Sequence, residues 1–176
     1  MTYTFSDPQI SIAGQADVTA IKDLLNRAYR GEASRQGWTT EAHLISGDTR
    51  TDEHNISEVM QTADSVFLIY KQGQKIHGCI NLQQHGSKYY LGMFSVSPAL
   101  QGAGIGKRLL KAGEEYALHQ QATATYMMVI SLRTELIDWY KRHGYVDTGE
   151  RKAFLEDGLT GKHLVPLEFM VLEKTL

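Results

Sequence analysis

The residues of this sequence that point most directly to chemistry lie in one short stretch, residues 101–107. Its glycines alternate with other residues and are Gly102, Gly104 and Gly106. A β-prone run precedes the stretch, and apolar residues at helical spacing follow it. Glycines let a ligand approach the backbone closely, and the first N–H groups of a helix have no partner within the helix. The stretch therefore predicts a phosphate or pyrophosphate site, to which Lys107 and Arg108 add positive charge.

The spacing of these glycines excludes two familiar phosphate loops. A nucleotide P-loop needs a glycine at Gln101 and a Ser or Thr at Arg108. A dinucleotide-binding fingerprint needs its third glycine at Lys107. The pattern that is present is Gln-x-x-Gly-x-Gly over residues 101–106, called the glycine loop below, and Val96-Ser97-Pro98 precedes it.

This pattern resembles the acetyl-coenzyme A loop of the GNAT superfamily of N-acetyltransferases. A second motif, at residues 137–145, is similar to the GNAT signature in which a helix carries a tyrosine shortly before a Gly-aromatic pair. The resemblance covers about residues 89–146, and the N-terminal half matches in element order only. It implies that acetyl-CoA is bound and that the hydroxyl of Tyr140 points at the coenzyme A sulfur.

The resemblance also implies which residues contact the coenzyme. In the family, the strand that leads into the glycine loop supplies backbone contacts to the acetyl and pantetheine groups. The family often has Asn and Ala at the positions of Arg133 and Leu136, so Arg133 is the candidate for the polar pantetheine contact. The expected coenzyme-binding residues are Phe94, Ser95, Val96, Gln101, Gly102, Ala103, Gly104, Ile105, Gly106, Lys107 and Arg133.

The chemistry expected of these residues is attack of a neutral amine on the thioester of acetyl-CoA. The oxyanion that develops needs an N–H donor about 3 Å away, for which the backbone of residues 94–96 is the candidate. Tyr140 is the predicted general acid for the departing thiolate. With pKa values of about 10 for a tyrosine and about 8.5 for a thiol, that transfer is uphill by about 2 kcal/mol, so a modest shift would close the gap.

The general base has no motif in this sequence. An alkylamine with a pKa near 10.4 is only about one part in two thousand neutral at pH 7, so a proton must be removed directly or through water. The candidates are Glu41, His43, Asp48 and His77. No pair of histidines has the helical spacing of a metal site, and no metal is expected.

The acceptor pocket is predicted from loop residues. Trp38 lies in a polar loop and is expected to line the pocket together with Tyr29 and Glu41, although these residues are also suited to packing or solvated roles. An acidic pocket would indicate a polyamine or lysine acceptor. An arginine near the pocket, such as Arg50 or Arg133, would indicate the carboxylate of an amino acid.

Composition limits the class of protein. With 176 residues and 42% hydrophobic residues, one globular domain over residues 1–176 is expected. The net charge of −2 gives no basic footprint for nucleic acid. No apolar run approaches the roughly 20 residues of a membrane span, and no signal peptide is recognised, so a cytoplasmic location without membrane association is expected. Cys79, the only cysteine, lies in an apolar strand and is interpreted as a buried structural thiol.

The elements that must position these residues form a mixed α/β fold. Strands are predicted over residues 9–12, 65–71, 75–84, 89–96, 126–130, 145–151 and 167–173. Helices are predicted over residues 16–30, from a capping box at Asn55 and Glu58 to about residue 62, over 104–119, and over 132–143 with Ser131 as its cap. The order strand, helix, strand around the glycine loop predicts a parallel pair, split around the coenzyme, in an otherwise antiparallel sheet.

The function that these features predict is N-acetylation of the primary amine of a small molecule, such as an amino acid or a polyamine. The alternatives are acetylation of a protein or peptide amine, a non-catalytic acyl-CoA sensor, and a nucleotide-binding α/β protein. The last strand alternates apolar residues and could pair across a homodimer or lie within one subunit.

Overall fold

The computed structural model describes residues 3–176 and contains one seven-stranded mixed sheet. Its strands are β1 (Ile10–Ile12), β2 (Ser65–Gln72), β3 (Lys75–His85), β4 (Lys88–Val96), β5 (Ala124–Ile130), β6 (Val146–Ala153) and β7 (Glu168–Thr175). They lie in the order β1-β2-β3-β4-β5-β7-β6. Each predicted strand is present with its ends within two residues of the prediction, and the predicted mixed α/β fold is confirmed.

Helices cover both faces of this sheet. They are α1 (Val18–Tyr29), α2 (Gly31–Ser34), α3 (Glu53–Gln61), α4 (Ile105–His119) and α5 (Thr134–Arg142). On one face, α4 and α5 bury residues such as Leu109 and Ile137 in a cluster with β2, β3 and β5. On the other face, α1 and α3 bury residues such as Leu24 and Ile56 in a second cluster. Each of these four helices turns an apolar stripe toward the sheet, as its sequence period predicts, whereas the four-residue α2 buries only Ser34.

The parallel pair is where the sheet opens. Residues 88–90 of β4 pair with residues 124–126 of β5, and α4 is the crossover between the two strands. Beyond Tyr90, β4 has no strand partner on its β5 side within residues 3–176, whereas β5 continues to pair with β7 up to Ile130. The two strands therefore diverge and leave one side of β4 open, as predicted.

A bulge distorts β4 just before the residues expected to contact the coenzyme. The pairs on either side of it are Cys79 with Ser95 and Asn81 with Gly92. Two residues of β4 thus stand against one residue of β3. Met93 takes up the extra length with a φ of +47°. The bulge changes the direction of the residues that follow it.

After the bulge, the open side of β4 presents backbone groups that have no strand partner within the described residues. The N–H of Ser97 donates to the carbonyl of His77 at 2.8 Å, so residue 97 faces β3. Backbone groups alternate in direction along a strand. The backbone groups of Phe94 and Val96 consequently point away from β3, toward the gap that opens where β4 and β5 diverge.

Three helix starts differ from the prediction by two residues or more. Residues 15–17 form a 3-10 turn, so α1 begins at Val18 rather than at residue 16. Asp52, not Asn55, caps α3, since its carboxylate accepts a hydrogen bond from the N–H of Asn55 at 2.8 Å. Similarly, α5 begins at Thr134 rather than at residue 132, because the N–H of Ser131 pairs with the carbonyl of Glu168 and holds residue 131 in the sheet. The predicted ends hold: Gly144 follows α5 with a φ of +95°.

Cys79 is buried in β3, as predicted for a structural thiol. Burial raises the pKa of its thiol to about 12, so the sulfur stays protonated and is a poor nucleophile. Within the described residues, none of the helices is both long and apolar enough to cross a membrane.

Candidate active site

A cavity of about 280 Å³ lies beside the open side of β4. The end of β4, the glycine loop, α1, α5 and the segment of residues 35–52 all contribute to its lining. The predicted site residues on the lining are Tyr29, Trp38, Phe94, Ser95, Val96, Gln101, Gly102, Gly104, Gly106, Lys107, Arg133 and Tyr140. The structure thus brings both sequence motifs to one cavity.

Three predicted site residues are not on the lining. Ala103 is at the exposed outer side of the glycine loop, and Ile105 is buried in the core beneath the first turn of α4. Glu41 is buried and pairs with arginines, as described below. The predicted contact of Ala103 or Ile105 with the coenzyme is therefore expected from the backbone of the residue and not from its side chain.

The lining also contains residues that the sequence interpretation did not assign to the site. They are Ala28, Thr39, Leu136, Trp139 and His143. Leu136, Trp139 and His143 follow helical spacing around Tyr140, so the exposed face of α5 could have been found from that tyrosine. No comparable signal marks Thr39, since it lies in an irregular segment.

The glycine loop has the geometry of an anion site. Gly102 and Gly104 have φ values of +88° and +85°, which favour glycine. A Cβ atom at either residue would meet no atom within 4 Å, so open space lies next to both. Gly104 directly precedes α4, and no side chain among residues 3–176 caps that helix start. The free N–H groups and the open space fit a phosphate of coenzyme A.

Arg108 points away from this site, contrary to the expectation that it adds charge there. Its Nε donates to Asp7 at 2.6 Å and its Nη2 to the same carboxylate at 2.8 Å. Its Nη1 donates to the hydroxyl of Tyr70 at 2.9 Å. Successive side chains on a helix project about 100° apart, so only Lys107 of this pair reaches the cavity lining. Arg108 instead ties α4 to the N-terminal segment.

The side chain of Gln101 joins the glycine loop to β4. Its Nε2 donates to the carbonyl of Val96 at 3.2 Å. Gly37 packs against the same amide, because a Cβ at residue 37 would overlap with it. The segment of residues 35–52 therefore closes onto the loop at this point.

Aromatic rings line the cavity between the loop and Tyr140. The ring centre of Trp139 lies 6.1 Å from that of Phe94, 5.2 Å from that of Tyr140 and 6.4 Å from that of Trp38. Trp38 is 44% exposed, which puts it at the edge of the cavity. Such a lining is apolar with few polar groups, as small-molecule sites usually are.

Tyr140 is buried and its side chain is on the cavity lining, and among the described residues no hydrogen bond involves its hydroxyl. Burial, and to a lesser degree the neighbouring Tyr29, raises the pKa of Tyr140 well above its ordinary value. This shift is opposite to the one that would close the gap to an ordinary thiolate. The phenol therefore stays protonated across the physiological range.

Tyr29 braces the open side of β4. Its hydroxyl donates to the carbonyl of Phe94 at 2.9 Å. Burial raises the pKa of Tyr29 to about 12, so this donor keeps its proton. The guanidinium carbons of Arg50 and Arg133 lie 5.3 Å and 5.8 Å from the centre of the Tyr29 ring.

A buried ionic cluster lies behind Tyr29 and is formed by Arg30, Glu41 and Arg133; it is called the arginine cluster below. Glu41 accepts from the Nε of Arg30 at 3.0 Å and from the Nη1 of Arg133 at 3.1 Å. The Nη2 of Arg133 donates to the hydroxyl of Thr39 at 2.7 Å. Glu41 thus links α1 to α5. It does not line the cavity, where it was predicted.

The arginine cluster also reaches the segment between β6 and β7. Arg30 donates to the backbone carbonyls of Thr49 and Thr160. Ile45 and His163 form a β-bridge between the same two segments. Side chains from three parts of the chain are therefore held together around one buried carboxylate.

None of the four predicted general bases lines the cavity. His43 and Asp48 are exposed, Glu41 is paired with two arginines, and His77 lies under α1 on the far side of β4. Burial lowers the pKa of His77. The only imidazole on the lining, within residues 3–176, belongs to His143, whose Nδ1 lies 2.7 Å from the carbonyl of Trp139. That contact leaves its Nε2 as the acceptor.

Residues 38–163 match the acetyltransferase (GNAT) domain family. The match covers more than half of the chain, and the chain therefore belongs to the GNAT family. It is an N-acetyltransferase of the acyltransferase class, with acetyl-CoA as the acetyl donor. No curated protein sequence matches it significantly.

Solved structures share the fold at low sequence identity. The ribosomal-protein-S18-alanine N-acetyltransferase from Escherichia coli superposes with a TM-score of 0.71 at 13% identity, over 94% of this chain and 92% of that one. The ribosomal-protein-alanine N-acetyltransferase from Brucella melitensis gives 0.69 at 18%, over 95% and 99%. The Salmonella typhimurium protein yncA, assigned as an acetyltransferase and solved with its cofactor acetyl-CoA, gives 0.69 at 19%, over 97% and 95%. At these identities the likeness establishes the fold alone.

Proposed function

We propose that this enzyme acetylates the primary amine of a small molecule by direct attack on acetyl-CoA, with Tyr140 protonating the departing sulfur. The observation that carries the proposal is the free hydroxyl of a buried tyrosine in the cavity that also contains the glycine loop and the open side of β4. Acetyl-CoA supplies the thioester that the amine attacks.

The glycine loop and β4 hold the donor in this proposal. The uncapped N–H groups at the start of α4 bind the diphosphate, and exposed Lys107 adds a charge at the rim. The N–H groups of Phe94 and Val96, which have no strand partner on the side facing the cavity, offer donors to the pantetheine arm and to the developing oxyanion. In this proposal, main-chain contacts near Gly104 hold the diphosphate of acetyl-CoA, and main-chain contacts at Phe94 hold its thioester end.

Tyr140 acts as a hydrogen-bond donor that releases its proton only to a strong base. Its raised pKa makes it a weaker acid than an ordinary tyrosine. Burial disfavours a thiolate in the same cavity in the same way, so the pKa of the departing thiol rises too. Burial thus raises the pKa of the phenol and the pKa of the departing thiol together. The shift in Tyr140 is offset by the shift in the thiol, so Tyr140 can protonate the sulfur inside the cavity.

The amine loses its proton to water or to the Nε2 of His143, the imidazole on the lining. The positive charge of Arg133 beside the cavity lowers the pKa of a nearby ammonium group and favours the neutral amine that attack requires. With His43, Asp48 and Glu41 off the lining, no dedicated carboxylate base is part of this mechanism.

Two measurements on the full chain test the proposal. Acetyl-CoA should raise the Tm of the protein, whereas ATP and NAD should not. Release of free coenzyme A thiol should then require a small amine. Thiol release with peptides but not with small amines would indicate a protein acceptor, and binding without release for any amine would indicate a sensor.

A further inference from the structure

Positive charge next to the cavity is only partly compensated. Within the arginine cluster, Glu41 is the one carboxylate for two guanidinium groups. Arg133 is 6% exposed and lines the cavity, yet its Nε has no hydrogen-bond partner among the described residues. A buried N–H of a charged group without a partner is costly, so a missing acceptor is expected there.

A second guanidinium lies against the same tyrosine. The side chain of Arg50 has no ion pair and no hydrogen bond within residues 3–176, and its guanidinium carbon lies 5.3 Å from the centre of the Tyr29 ring. Its backbone is fixed, because the N–H of Arg50 donates to the Oδ1 of Asn26 at 2.7 Å. Arg50 therefore approaches Tyr29 from the segment of residues 35–52, at a point fixed to α1, and it lies outside the cavity lining.

Apart from Glu41, which is already shared by two arginines, the carboxylates near this pair are exposed. Glu135 accepts from Thr39 at 3.0 Å but is exposed to solvent, which screens its charge. Asp48 is also exposed. The surroundings of Tyr29 thus favour an anion and repel a second cation.

From these contacts we propose that the acetyl acceptor carries a carboxylate, bound by Arg133 on the cavity lining and attracted by the charge of Arg50 beside Tyr29, while its amine faces the thioester. The acceptor class is then a small amino acid, not a polyamine. This inference rests on the proposed function. The Nε of Arg133 gains its missing acceptor, and a planar carboxylate suits donation from a guanidinium. A diamine would instead bring a second ammonium group toward two arginines.

The test compares matched amines by thiol release at saturating acetyl-CoA. Each of the twenty standard α-amino acids is measured against its carboxamide, with aminoethylphosphonate and putrescine as further arms. For the best amino acid we expect kcat/KM to exceed that of its carboxamide by about 10- to 100-fold, as for loss of a charge-assisted hydrogen bond.

Single substitutions test which residues cause the preference for the amino acid over its carboxamide. Arg50→Gln should reduce the preference about tenfold, mainly through KM. The Kd of acetyl-CoA should stay unchanged and the Tm nearly so, because within residues 3–176 the Arg50 side chain has no ion pair or hydrogen bond and lies against the Tyr29 ring. Arg133→Gln should also reduce the preference, and Arg133→Lys should recover part of it. Arg27→Gln is the control, because it removes the same charge at an exposed site of α1. This variant should leave the preference for the amino acid unchanged.

The outcomes separate this inference from the function on which it rests. Failure to bind acetyl-CoA overturns both. Normal acetyl-CoA binding with putrescine or aminoethylphosphonate as the best acceptor overturns the carboxylate alone. Normal acetyl-CoA binding without thiol release for any amine overturns both. An undiminished preference in Arg50→Gln likewise overturns the assignment, since that half-buried variant is expected to fold.

Discussion

One part of the cavity lining is a continuous run of chain, residues 94–107, whereas the rest is assembled from α1, the segment of residues 35–52 and α5. The first part, the loop wall, offers main-chain N–H groups set by a strand end, two left-handed glycines and a helix start. The second part, the assembled wall, offers side chains held by the arginine cluster.

The two walls show two ways of building a binding site, one from local backbone geometry and one from side chains that are distant in sequence. The loop wall needs only local backbone geometry, so few side chains matter for it beyond the absence of a Cβ. The assembled wall depends on contacts between residues distant in sequence, such as Glu41 and Arg133. We therefore expect changes in the loop wall to act on coenzyme binding, and changes in the assembled wall to act on turnover or stability.

The largest effect is expected from Tyr140→Phe on the assembled wall. Loss of the proton donor should lower kcat by about 10²- to 10⁴-fold. The variant should keep its Tm, because no hydrogen bond among the described residues depends on the Tyr140 hydroxyl. Steady-state kinetics and a thermal melt measure both quantities.

Tyr145 provides the matched control, because its ring lies 5.9 Å from that of Tyr140 and is equally buried. Its hydroxyl contacts Thr125 at 2.8 Å and donates to Glu114 at 3.0 Å. Tyr145→Phe should lose about 1–3 kcal/mol of stability but little kcat. Equal losses of kcat in both variants would contradict a proton-donor role for Tyr140.

The next largest effect is expected from Glu41→Ala, which leaves Arg30 and Arg133 buried without their carboxylate. Removing one partner of a buried ion pair costs about 3–5 kcal/mol, so the Tm should fall by about 6–20 °C. Denaturant unfolding measures the change. Glu32→Ala, which removes an exposed partner of Arg35, should cost about 1 kcal/mol or less. Similar losses in the two variants would mean that the arginine cluster does not hold the assembled wall.

The two walls also differ in how far the sequence predicts them. The glycine loop was predicted because its function depends on residues adjacent in the chain, and the strands because their apolar periods are local. Glu41 was assigned to the pocket because nothing local reports that Arg30 and Arg133 converge on it. The direction of Arg108 was missed for the same reason, since Asp7 lies far away in the sequence.

On the loop wall, Gly104→Val should weaken acetyl-CoA binding about tenfold or more. A β-branched residue at a φ of +85° is strained, and its side chain enters the open space expected to hold a phosphate. Gly73→Val is the control, because Gly73 has a φ of +59° and equally open surroundings in the turn between β2 and β3. Both variants should lose stability, but Gly73→Val should keep the Kd of acetyl-CoA measured by calorimetry. If both variants bind acetyl-CoA normally, the glycine loop is not the phosphate site.

The smallest effects are expected from the adjacent cations at the start of α4. Lys107→Gln should weaken acetyl-CoA binding a few-fold, as for a rim charge, without changing the Tm. Arg108→Gln should leave that affinity unchanged and lower the stability by about 1 kcal/mol, because it removes the ion pair with Asp7.

The stability loss in Arg108→Gln should also depend on pH. The hydrogen bond from Arg108 holds the pKa of Asp7 below its usual value, so the pair contributes stability above the unfolded pKa of about 3.9 and loses it as the pH falls through the folded pKa. Unfolding curves of the variant and the original protein should accordingly differ at pH 7 and approach each other as the pH falls below the folded pKa of Asp7. A weakened affinity for acetyl-CoA in Arg108→Gln, greater than that in Lys107→Gln, would instead return Arg108 to the phosphate site and remove the distinction between a backbone-built and a side-chain-built wall.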